Sequence, residues 1–259
     1  MLQNIFDTHS HYDDEAFDED REELLTKVLP EGGVVRVVDC AVDLLTSVKV
    51  LDIAHEYDMV YAALGYHPEQ AADERKGDLD VIAELLEKEE KAVAVGEIGL
   101  DYHWEDNAPR ETQVDLFSRQ LALSKDLGLP VIIHDRDAHG DTMECLQKYR
   151  PSGVLHCFSG SVEMMREATK LGIYIGLGGV VTFKNARKAV EVAAEVPLEY
   201  LVLETDAPYM APTPFRGKRN NSTYIAYVAE KIAEVRGMEP QKLIDICNEN
   251  GKRLFQMTD

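Results

Sequence analysis

Cysteine is sparse in this sequence, and the few residues are scattered. Cys40, Cys145, Cys157 and Cys247 form no Cys-x-x-Cys pair among 259 residues. That excludes a disulfide-stapled secreted scaffold and a zinc knuckle, and it predicts reduced thiols in a cytoplasmic protein. Long apolar runs are missing too. No stretch approaches the roughly 20 residues of a membrane-spanning helix. The N-terminus has no basic segment leading into an apolar one, so neither membrane association nor a signal peptide is expected. Positive charge is the third shortage: 27 Lys and Arg stand against 48 Asp and Glu, a formal net charge of -21. A general nucleic-acid binder carries a basic footprint, so that class is disfavoured. An enzyme that meets a few phosphates through metal ions and a local basic patch is not. No linker, low-complexity tract or internal repeat divides the chain, so one domain over residues 1–259 is expected, with no obligate protein partner evident.

What is present suits a sizeable core: 45% of residues are hydrophobic and 29% charged. Much of the acid lies in stretches such as "DDEAFDEDREELL" and "IAELLEKEEK", which read as solvated helix surface. Short apolar runs alternate with longer amphipathic ones. The runs "NIFDTH", "VVRVVDCAV", "MVYAALGY", "AVAVGEIGL", "LPVIIHD", "GVLHCFS", "IYIGLGG" and "YLVLETD" predict eight strands. Between them, "RETQVDLFSRQLALSKDLG" places Leu116, Leu123 and Leu127 near helical spacing, with Gly128 as a stop. "SVEMMREATKLG" also ends at a glycine, Gly172. Continuous apolar strands are typical of parallel sheets buried on both faces. Eight strand–helix units in roughly 250 residues predict an α/β fold, a TIM (β/α)8 barrel, with a doubly wound open sheet as the alternative. The tail "PQKLIDICNENGKRLFQM" adds a C-terminal helical segment.

Polar residues interrupt these runs at their C-terminal ends. His9 and His11 close the first, Glu97 ends "AVAVGE", His134 ends "VIIH", His156 follows "GVL" and Asp206 ends "LVLETD". Strand residues two apart share a face, so the His-x-His pair points one way. In a barrel all these ends converge on one mouth, where active sites are built. Four imidazoles and two carboxylates exceed the needs of one catalytic zinc, which takes three protein ligands and water. They suit two cations sharing a carboxylate. The expected division is His9, His11, Glu97 and Asp206 on one ion, with Glu97, His134 and His156 on the other.

The segments "DTHSHYD", "GYHPE", "GEIGLDY", "PVIIHDRDA", "GVLHCFSGS", "YIGLGG" and "LETDAPYMAP…RGKRN" together resemble the TatD family of metal-dependent deoxyribonucleases, in the family's order and over nearly the whole chain. The resemblance implies a TIM-barrel hydrolase with two divalent cations that cleaves DNA phosphodiesters. Its metal positions fall on His9, His11, Glu97, His134, His156 and Asp206. Zinc or manganese suits so much imidazole, and abundant magnesium also serves. Asp206 and Glu97 are the expected catalytic carboxylates, Asp206 taking the proton from the attacking water. One departure is "RGKRNNS", where the family commonly has "RGKRNEP". Ser222 is expected to cap the helix that follows.

Substrate residues are read on position. His67, in "GYHPE", faces the mouth, either to meet a phosphate oxygen or to fix its own loop. Glu204, two residues before Asp206, is either a partner of the metal site or a buried charge paired with a cation. Arg216, Lys218 and Arg219 form a dense basic group after the eighth strand, where barrels often hold phosphate. His55, His103 and His139 are expected in surface or loop positions. Two rivals stay open. The same centre could act on an amide, lactone or aminoacyl ester, or the barrel could be a non-enzymatic metal-binding scaffold.

Overall fold

The structure is a computed structural model and describes residues 1–257. Eight parallel strands lie side by side in chain order: β1 (Ile5–Ser10), β2 (Val34–Cys40), β3 (Val60–Leu64), β4 (Ala92–Asp101), β5 (Val131–Arg136), β6 (Gly153–Leu155), β7 (Ile173–Leu177) and β8 (Leu201–Leu203). The order excludes a doubly wound sheet, whose strand order reverses at a switch point. Helical turns over residues 21–31 (α1) follow β1. Then come α2 (Leu44–Glu56), α3 (Asp78–Lys88), α4 (Arg110–Leu127), α5 (His139–Tyr149), α6 (Val162–Lys170), α7 (Arg187–Glu195), α8 (Ile225–Arg236) and the additional α9 (Pro240–Leu254). This is a nearly closed TIM barrel with an extra C-terminal helix.

The alternation along each strand explains the closure. Phe6, Val38, Ala63, Ala94, Ile132, Val154, Tyr174 and Val202, one from each strand, pack together with Leu254 and Phe255. They fill the barrel, and the end of α9 plugs its floor. Their neighbours, such as Val37, Val95, Ile133, Leu155 and Leu203, pack outward with Leu116, Phe117, Leu121 and Ile232 of the helices. A buried phenylalanine such as Phe117 is worth about 2–3 kcal/mol against exposure. Gly128 ends α4 in the left-handed conformation, as its position predicts. No helix among the described residues is long and apolar enough to cross a membrane.

Between β1 and β8 the ladder shrinks to one bridge, Ser10 with Ala207. Side chains complete this seam. Thr205 Oγ1 and Ser222 Oγ each donate to Asp7 Oδ2 at 2.6 Å, and Thr8 Oγ1 donates to the Leu203 carbonyl at 3.1 Å. The cap expected of Ser222 is supplied instead by Asn221, whose Oδ1 accepts from the Thr223 N–H. Ser222 is wholly buried and its hydroxyl is committed to Asp7 and Tyr12.

Candidate metal centre

The eight predicted strands are present, but β6 and β8 are only three residues long. His156 and Asp206 therefore lie on the corners just beyond the sheet. Asp206 sits at φ 58°, a left-handed conformation that aspartate tolerates better than most residues. Its N–H donates to the His9 carbonyl at 3.0 Å and its own carbonyl accepts from Tyr209 N–H at 2.7 Å. Gly99 is needed beside the site, because a Cβ there would meet the His134 carbonyl oxygen at 2.0 Å.

The six residues meet at the mouth in two groups. His9 Nε2 and His11 Nε2 are 3.1 Å apart. Glu97 Oε2 lies 3.4 and 3.5 Å from them, and Asp206 Oδ1 3.5 and 3.6 Å. Four donors around a tetrahedral ion at about 2.1 Å sit about 3.4 Å from one another, so this spacing fits a cation. In the second group, Glu97 Oε1 lies 2.9 Å from His134 Nδ1 and 2.7 Å from His156 Nε2, and those nitrogens are 3.3 Å apart. The two oxygens of one carboxylate thus serve two groups.

The outer hydrogen bonds orient the rings. His11 Nδ1–H donates to the Cys40 carbonyl at 2.8 Å, leaving the Nε2 lone pair for the first group. His134 Nε2–H donates to Asp101 Oδ2 at 2.9 Å, which leaves Nδ1 for the second group. Cys40 Sγ is 3.3 Å from His9 Nδ1. His9 and His156 stack with ring centres 3.9 Å apart.

Electrostatics agree with a site built for positive charge. Burial alone would raise the Glu97 pKa, but His156, His67 and His9 outweigh it and hold the carboxyl well below its usual range. Burial lowers His11, yet Asp206 and Glu97 hold it well above the usual histidine range. His134 is likewise pulled down by burial and carried up to about 9 by Asp101 and Glu97. His156 goes the other way, to about 4, through burial and the neighbouring His9. Asp206 is held low by His11 and His9 despite its burial.

The remaining predicted residues divide. His67 Nε2 is 3.5 Å from Glu97 Oε1, while its Nδ1 accepts from the Glu69 N–H at 3.2 Å. With Nδ1 accepting, Nε2–H is left to donate into the mouth, though His67 also stands with Glu97 and His134 in a group that could hold a cation. Glu204 is fully buried, and among the described residues no Lys or Arg pairs with it, which removes the second of its two readings. One oxygen accepts from the Cys157 N–H, and the other has no hydrogen-bond partner. Burial pushes this carboxyl up to about 8, so it is mostly neutral at pH 7.

The basic group is not uniform. Arg219 is tied to Asp20 through both terminal nitrogens and to the Ala16 carbonyl at 2.6 Å. Arg216 lies over the Phe183 ring at 4.3 Å, and Lys218 is 5.8 Å from the Phe215 ring; both are exposed. His55, His103 and His139 pair with Glu89, Asp137 and Asp135, away from the two groups.

Sequence reasoning missed Asp101 and the residues that hold it. Gln113 Oε1 accepts from the Asp101 N–H at 2.9 Å, and its Nε2 donates to the Asp101 carbonyl at 2.9 Å. Gln120, two turns along α4, makes the same pair of bonds with Tyr66, beside His67. Two buried glutamines seven apart on one helix were the available signal.

Comparison with known proteins agrees with this geometry. The family model described as TatD related DNase matches residues 6–256. YabD of Bacillus subtilis, an uncharacterized metal-dependent hydrolase, is 45% identical over 256 residues, covering 98% of this chain and 99% of that protein. The 3'-5' ssDNA/RNA exonuclease TatD of Cronobacter sakazakii is 33% identical over 265 residues, covering 97% of each. The crystal structure of YjjV, a TatD homolog from Escherichia coli, is 35% identical and superposes over all of both chains with a TM-score of 0.93.

Proposed function

The chain belongs to the TatD family of metal-dependent hydrolases, and on that premise we propose that it cleaves phosphodiester bonds of DNA, single strands foremost. One observation carries the reading: Glu97 presents one oxygen to His9 and His11 and the other to His134 and His156. That arrangement suits two divalent cations, zinc or manganese by the imidazole content. Cations held there lower the pKa of water towards about 7 and offset charge on phosphoryl oxygens. The name of the Cronobacter sakazakii relative supports a nucleic-acid substrate.

The chain's own groups have separable parts. Asp206 takes the proton of the attacking water. Its side chain is 18% exposed against 3% for Glu97, so it is the carboxylate of the first group that solvent can reach. His67 donates from Nε2 to a phosphate oxygen. Asp101 keeps His134 turned. Arg216 and Lys218 meet neighbouring phosphates, positioning the strand without reading its sequence. The four cysteines are unpaired, which suits the reducing cytoplasm.

The test is the purified protein on end-labelled single- and double-stranded oligonucleotides with zinc, manganese or magnesium. Cleavage that a chelator abolishes is expected. Turnover of an amide, lactone or aminoacyl ester, with DNA left intact under every metal, would overturn the reading.

A further inference from the structure

Across the mouth from the basic loop, the rim carries a second, unassigned feature. Trp104, the chain's one tryptophan, is 51% exposed on the connection after β4. Single exposed apolar side chains are ordinary on a protein surface, so it is the groups around Trp104, not its exposure, that carry the argument. The Arg136 guanidinium lies over the Trp104 ring, 5.0 Å from its centre. The His103 ring meets Trp104 edge-on at 4.7 Å, and His103 is itself held by Asp137 at 2.9 Å. Arg136 is exposed, and no carboxylate among the described residues lies within ion-pair distance of it. Against the effect of burial, the guanidinium also helps to hold the Asp101 carboxyl below its usual range, and it faces solvent beside the indole.

Position links this feature to the centre. Arg136 is two residues beyond His134 on β5 and pairs across the sheet with Asp101, which binds His134. Strand residues two apart share a face and lie about 7 Å apart. Arg136 therefore stands one nucleotide's reach above the second donor group. Glu105 and Asp106 follow Trp104 and repel phosphate, so what Trp104 offers is a ring face for a base, while Arg136 offers charge for the phosphate beside it.

We propose that Trp104 and Arg136 form a binding subsite for the nucleotide next to the scissile bond, with the base stacked on the indole and its phosphate on the guanidinium. This rests on the nuclease reading above and adds which side of the mouth grips the strand. Stacking tolerates any base, so the subsite holds a single strand without choosing its sequence, and a paired base cannot reach it.

Because Trp104 is the only tryptophan, its emission reports the subsite directly. The metal-loaded protein is titrated with a phosphorothioate oligothymidylate that resists cleavage, and separately with an abasic oligonucleotide of equal length. Saturable quenching by the first, and little by the second, is expected. Trp104→Ala should raise KM for a single-stranded oligonucleotide roughly 5- to 100-fold with kcat nearly kept, and Trp104→Phe should restore most of the loss. Arg136→Gln should raise KM and flatten its salt dependence. If the protein cleaves DNA but shows equal quenching with both oligonucleotides, or an unchanged KM in Trp104→Ala, the subsite is wrong and the nuclease reading stands. Absence of DNA cleavage under any metal overturns both.

Discussion

The floor of the mouth and its rim are built from the same residue types on different terms. On the floor, His9 and Glu97 are almost wholly buried, and every charge faces an opposite one within 3.6 Å. Strand backbones and fixed outer hydrogen bonds set each ring. On the rim, Arg136, Arg216 and Lys218 lie in solvent against aromatic rings, on or beside loops. A buried cluster can hold chemistry to tenths of an ångström but reaches only one group. An exposed cation on a long side chain reaches far but holds loosely. The contrast teaches where to look for turnover and where for affinity.

The sharpest way to break the comparison is Glu97→Gln. One substitution removes charge from both donor groups, so elemental analysis should fall from about two ions per chain, and kcat should drop about 10³-fold or more. A variant that keeps two ions and its rate would show that Glu97 does not join the groups. Next is Asp206→Asn, which keeps shape but loses the proton acceptor. A kcat about 10²-fold lower with at least one ion still bound is expected, and near-normal turnover in the fully loaded variant rules the role out.

Asp101→Asn tests whether an outer carboxylate belongs to the floor. Losing its hold on His134 should cost about 10- to 100-fold in metal affinity or activity, read by titration against a chelator. An effect no larger than that of a rim variant would move Asp101 out of the centre. The smallest expected effects lie on the rim, where two neighbouring arginines should part company. Arg216→Ala should raise KM for DNA a few-fold and flatten its salt slope. Arg219→Ala should leave KM nearly alone and cost stability instead, within about 1 kcal/mol because its pair with Asp20 is partly exposed. Equal KM effects from both would mean that Arg219 leaves Asp20 to meet substrate.

Much of the floor was legible in the sequence. Parallel strands buried on both sides read as apolar runs, and a histidine or carboxylate at the end of such a run stands out. That is how six residues on five strands could be assembled before any coordinates. What was illegible depends on partners distant in the chain. Asp101 looked like one more acid in "GLDYHW", because its partner His134 lies on the next strand. Arg219 looked like its neighbour Arg216, because Asp20 is 199 residues away. Ser222 read as a cap, the commonest local use of serine, but the barrel brings Asp7 within reach of its hydroxyl. Glu204 was read from strand alternation as a partner of the metal site or else a charge paired with a cation, whereas burial, against the pull of the Cys157 N–H, raises its pKa to about 8.

The thin seam between β1 and β8 has a consequence in time. Thr205 meets Asp7 across 198 residues of chain, and Ser222 meets it across 215. Of the six residues, the ribosome makes His9 and His11 first and Asp206 last. A nascent chain that has emerged as far as β7 holds all of Glu97, His134 and His156, but its first donor group lacks a corner and its barrel is an open crescent. Domains fold largely as units once their parts are available, so this crescent closes only after β8 has left the tunnel. The donor group that holds the proposed proton acceptor, Asp206, is thus completed after the second one.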